Sequence, residues 1–218
     1  MGTITRSFAN NITTSGVLLP ASLNNNSISN VTSYNASVSQ GNMVLISSQT
    51  ASNSASISFT TGIDSTYKEY QFWFINCRPA TDNVNFSFNL STDSGSNYNV
   101  AKTTTYIVTF ANEANNDTVL AYDTAKDSAQ DTGFANFVTN QGNGADECFS
   151  GSMQLFNPAS TTYVKHFITN TNGYLSSDYS VENFIAGYGN TTSAINAIQF
   201  KYTSGNIADG TILMYGIK

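Results

Sequence analysis

From Met43 onward the chain repeats one device: short stretches in which apolar and polar residues alternate, cut at intervals by Gly, Pro, Asn and Asp. Alternation with period two puts successive side chains on opposite faces of a pleated strand. A helix face, which recurs about every 3.6 residues, cannot use it. Val84, Phe86, Phe88 and Leu90 point one way and Asn85, Ser87 and Asn89 the other, which predicts a half-buried strand. Ile57 and Phe59 do the same on a smaller scale. Residues 70–77 (YQFWFINC) are apolar on both faces and read as a central strand ended by Pro79, with Trp73 in the core between Phe72 and Phe74. Further strands are predicted over residues 104–110, 150–156, 163–169, 181–187, 195–202 and 211–217. Asn157-Pro158-Ala159-Ser160 is a turn, because Pro fixes φ and Asn bonds its own backbone. Many short strands without βαβ spacing predict an all-β fold, an antiparallel β-sandwich.

Two stretches break the pattern. Residues 112–131 (NEANNDTVLAYDTAKDSAQD) are the one segment that a helix could claim, but Asp123, Asp127 and Asp131 would then stack like charges at i, i+4 and i+8. A long loop over one edge of the sandwich is the competing reading. Residues 1–42 carry single, scattered apolar side chains and an Asn24-Asn25-Asn26 run. They read as a polar N-terminal arm for attachment or oligomerisation, gaining order from a neighbouring surface, with the sandwich domain spanning 43–218.

Composition narrows the function classes. Asn, Ser and Thr supply 83 of the 218 residues, whereas charged residues are only 10%, under half the share of about 25% usual for a globular domain. Such a surface is built from neutral hydrogen bonds and has an extracellular character. Eight Lys and Arg against 14 Asp and Glu leave no basic footprint for phosphates, so nucleic acid is not an expected partner. No stretch reaches the roughly 18 apolar residues of a membrane helix, and residues 1–11 lack the apolar run of a secretory signal. Release of an assembled particle by lysis is the expected way out.

The chemistry-bearing residues are sparse. His166 alternates with Val164 and Ile168 in a strand, and no Gly-x-Ser-x-Gly elbow gives it a nucleophile to serve. Asp146–Glu147, Glu182 and the cluster from Glu113 to Asp131 are the carboxylates that glycoside hydrolysis would need, without a Glu-x-Asp-x-x-Glu strand pattern to organise them. Residues 112–117 are rich in oxygen but lack an Asp-x-Asp-x-Asp-Gly calcium loop. Cys77 and Cys148 read as two buried free thiols rather than a disulfide. With a single His, no zinc site can be assembled. Eight Asn-x-Ser/Thr sequons match the number of about seven that this composition gives by chance. The expectation is a protein without catalytic residues, cofactor or bound metal.

Residues 195–218, INAIQFKYTSGNIADGTILMYGIK, end in a strand, a Gly-containing turn and a last strand reading roughly Gly-x-Ile-x-Leu-Tyr-Gly-Ile. Gly210, Ile212, Met214, Tyr215, Gly216 and Ile217 fit it, with Met where Leu is commoner. This ending, with residues 45–70 and 153–167, resembles small virion proteins of tailed bacteriophages, particularly marine ones. The resemblance implies a jelly-roll-like module on the virion surface, assembled in the host cytoplasm and released by lysis. A capsid decoration or cement protein on the outer head is the first expectation. It would contact the major capsid protein or other virion proteins as a homo-oligomer, with a trimer favoured. A tail fibre or receptor-binding module recognising host surface glycans is the second, and a polysaccharide depolymerase the third. The shared motifs are packing and turn motifs, so the resemblance carries over no site residues.

Overall fold

A computed structural model of the protein describes residues 42–175 and 177–218; all of the predicted arm except Asn42 lies outside them. Among the described residues, thirteen strands form one antiparallel sheet that doubles back on itself as a sandwich. One layer runs β1 (Met43–Thr50), β13 (Ile207–Ile217), β3 (Glu69–Pro79), β9 (Phe149–Phe156), β10 (Lys165–Leu175), β11 (Tyr179–Gly189) and β5 (Lys102–Asn112). β6 (Thr118–Tyr122) and β7 (Ser128–Asp131) both pair with β5 beyond it. The other layer is β8 (Ala135–Gln141), β4 (Val84–Ser91), β12 (Ala197–Tyr202) and β2 (Ile57–Phe59). The layers join at one pair, Leu175 of β10 opposite Gln141 of β8.

The core is a layer of aromatic rings between the two sheets. Phe72 and Phe74 of β3, Phe149 of β9 and Phe167 of β10 meet Phe59, Phe86, Phe88, Phe137 and Phe200 from the four-stranded layer, all fully buried. Phe74 is central: its ring centroid lies 5.1 Å from both Phe137 and Phe200, 5.7 Å from Phe149 and 6.0 Å from Phe86. These separations suit edge-on and tilted contacts, which add to area burial. The last strand is interior, pairing with β1 on one side and β3 on the other. Its Gly210 has φ +118, and a Cβ there would meet the Cys77 Cα at 2.6 Å. A glycine is thus required at the irregular register where β13 crosses β3.

Four expectations need correction. Trp73 does not enter the core: Tyr70, Phe72 and Phe74 take the inward positions, so Trp73 and Ile75 face out, 39% and 43% exposed. β4 is not half buried, because loops cover its polar face and Ser87, Asn89 and Ser91 are as enclosed as the phenylalanines. Residues 112–131 are neither a helix nor a long loop but the strands β6 and β7 with their turns. Each aspartate whose stacking would strain a helix holds a turn instead: Asp123 accepts from Ala125 N (2.9 Å), Asp127 from Tyr122 Oη (2.7 Å) and Asp131 from Gly133 N (2.8 Å). Finally, Cys77 is fully buried and burial pushes its thiol up to about 12, but Cys148 beside it is only partly covered. The turn at Asn157 forms as expected, with Asn157 at φ 44 and its carbonyl accepting from Ser160 N.

Candidate binding surface

Residues directly opposite one another in antiparallel strands share a face, so the register names the neighbours on the outer side of the larger layer. One row runs Trp73, Ser152, Asn170, Phe184, Ile107 and Tyr122 across β3, β9, β10, β11, β5 and β6. Trp73, Phe184, Ile107 and Tyr122 are 39–49% exposed. Large apolar side chains usually turn inward, so an exposed set along one row of the sheet is this face's most distinctive feature. Outward positions in β5, β9, β10 and β11, and in β3 as far as Ile75, carry two carboxylates: Glu69, which accepts from Gln154 Nε2, and Glu182.

The next two rows form a shallow groove of about 480 Å³. Thr103, Thr105, Phe156, His166, Ile168 and Tyr188 line it. The exposed His166 ring meets Tyr188 edge to face at 6.1 Å. Ring faces beside threonine hydroxyls can hold a molecule with apolar and hydroxyl surfaces together.

The predicted carboxylates are scattered. Glu147 folds back onto its own loop, accepting from Gly144 N. Glu182 stands outward on β11 opposite Asn172 of β10 and Thr109 of β5. Glu113 donates its backbone N–H to the Asp178 carbonyl (3.1 Å). The oxygens of residues 112–117 are spent on the hairpin itself: Asn112 Oδ1 accepts from Asn116 N and Asp117 N, and Asp117 accepts from Tyr179 Oη at 2.9 Å. Among the described residues, no three His, Cys, Asp or Glu gather as metal ligands, and no helix is long and apolar enough to cross a membrane.

Sequence reasoning missed the buried polar groups. Lys102, at the first position of β5, is fully buried with its Nζ on Asn89 Oδ1, Val100 O and Gly133 O at 2.6–2.8 Å. Burial holds this amine down to about 8, against a smaller opposing pull from Asp131. The signal was parity, since Lys102 shares the inward phase of Thr104 and Tyr106. Tyr106 Oη donates to Asn183 Oδ1 (2.7 Å) and Tyr202 Oη to the Cys77 carbonyl (3.2 Å), both deep in the sandwich.

Burial raises the phenols of Tyr106 and Tyr202 above the ordinary value of 10.0. Above about pH 10 the unfolded chain therefore loses protons that the folded one keeps, and stability falls by about 1.4 kcal/mol per pH unit for each such group. Their contribution is complete below about pH 10 and disappears above it. Urea unfolding followed across this range should show that fall, with buried tyrosines ionising only as the chain unfolds. Their ionisation in fully folded protein would contradict it.

Comparison with protein-family models, curated proteins and solved structures returns no match for the chain.

Proposed function

We propose that the chain is a non-enzymatic structural protein of a bacteriophage particle, acting as a decoration or cement protein on the outer head. The observation that supports this most is the outer face of the larger layer, where Trp73, Phe184, Ile107 and Tyr122 stand exposed in one row that ends on the Tyr122–Asp127 hydrogen bond. Such a face suits close contact with capsid or sister subunits, whose apolar surface would cover it. The resemblance of residues 195–218 to the endings of virion proteins points the same way. The groove of Phe156, His166 and Tyr188 favours a second reading, a receptor-binding module that holds a host surface glycan against these rings.

The test is the double change Trp73→Ser with Phe184→Ser, made in the full chain. Both side chains lie outside the core, 39% and 42% exposed, so the circular dichroism spectrum should hold and the melting temperature change little, while binding to particles stripped of this protein should fall at least tenfold. Glu147→Gln, whose carboxylate is turned onto its own loop and accepts from Gly144 N, serves as the control that keeps binding. Undiminished attachment of the double variant would overturn this face as the contact. A folded variant of His166→Ala that loses glycan binding would favour the second reading.

A further inference from the structure

Buried lysines are normally kept by a carboxylate. Lys102 has none in contact, and the one salt bridge among the described residues joins Arg78 to Asp209. Its Nζ instead reaches Asn89 Oδ1 at 2.6 Å, with both residues wholly shielded from solvent. The Asn89 amide is clamped from every side. Its Oδ1 also accepts from Leu90 N (2.8 Å), and its Nδ2 donates to Tyr98 O (2.7 Å), Thr132 O (2.9 Å) and Gly133 O (3.1 Å). A primary amine and a carboxamide are thus held together in a dry site, with a backbone donor on the carbonyl oxygen and carbonyl acceptors around the amide nitrogen.

We propose that Lys102 and Asn89 are a cross-linking pair that condenses to an isopeptide bond between Lys102 Nζ and Asn89 Cγ, releasing ammonia. The amine sits on Oδ1, one carbonyl bond of about 1.2 Å from the carbon it attacks. As the Nζ–Cγ bond forms, charge develops on Oδ1, where the Leu90 N–H already points; this is the arrangement that stabilises tetrahedral intermediates of acyl transfer. The Cγ–Nδ2 bond then breaks. The attacking species is the neutral Lys102 amine, which carries two protons: one stays on the new amide, and the other passes to Nδ2 and leaves with that atom and its own two hydrogens as ammonia. Nothing is oxidised or reduced. Desolvation favours the step because it lowers the proton affinity of the amine, raising the share of neutral nucleophile near neutral pH. Proximity in a fixed site supplies the rest. The bond would tie β4, in the smaller layer, to the start of β5 in the larger one.

The test is the mass of the full-length protein, purified folded, held at about pH 9, where most of this amine is neutral, and then denatured. The expected mass is one ammonia below that of the sequence, and proteolysis should yield a branched peptide joining the Lys102 and Asn89 segments. Lys102→Met and Asn89→Ala proteins should each keep their full mass. The unmodified chain decides the matter even if those variants do not fold. An undiminished mass, with the Lys102 and Asn89 peptides recovered unbranched, would overturn the proposal and leave Lys102 as a non-covalent clamp on three carbonyls.

Discussion

Removing residues 211–218 should abolish the soluble fold. Seven of these eight residues, 211–217, form most of β13, which is hydrogen-bonded to β1 and β3 at once, so their loss exposes most of one side of β3 and leaves β1 without its partner. Ile212 and Met214 are fully buried, and emptying a site of that size costs about 2–5 kcal/mol each. Two such losses, added to the broken pairing, match the 5–15 kcal/mol or so by which a whole domain is stable. An unpaired apolar edge is moreover a template for aggregation. The deleted protein should therefore be found in the insoluble fraction. A soluble product with an unchanged melting temperature would show that β13 is dispensable.

Phe74→Ala is the single substitution with the largest expected effect. The ring lies within 5.1–6.0 Å of four other phenylalanines drawn from both layers. Truncating a buried Phe costs about 3–5 kcal/mol, which in a domain of this size lowers the melting temperature by about 10 °C. Phe74→Leu should recover much of the loss, because it refills the cavity. Trp73→Ala, one residue away but outward, should shift the melting temperature far less. Equal losses at the two positions would contradict the assignment of faces in β3.

The strands themselves were legible wherever one face was apolar and the other polar, because period two then states both the conformation and the buried side. In β3 both faces are apolar. The pattern could announce a strand there but not choose between Phe74 and Trp73, a choice made by which side the four-stranded layer covers. β4 failed in the opposite way. Ser87 and Asn89 look like solvent-facing residues, and only the loops that pack over them, carrying Tyr98 and Gly133, turn that face into interior. β8 escaped notice because Phe137, Val138 and Thr139 are buried in succession beside register shifts in its pairing with β4. β6 and β7 are short and mostly polar, and their aspartates bond locally, so a helical reading failed on charge without a strand reading replacing it.

The outer face was illegible for a related reason. Trp73, Phe184, Ile107 and Tyr122 come from four strands, and only the register of six strands sets them in one row. Lys102 and Asn89 were each visible as residues, but their meeting depends on where the loop between them places Val100 and Tyr98.

The claim that this is a head-surface protein is tested most directly by counting it on purified particles. Quantitative mass spectrometry against the major capsid protein of the same particles should give a copy number comparable with that of the head lattice, and the protein should stay with isolated heads when tails are removed. A few copies per particle, found with the tail fraction, would contradict the decoration reading and support the receptor-binding one. Absence from particles altogether would overturn both.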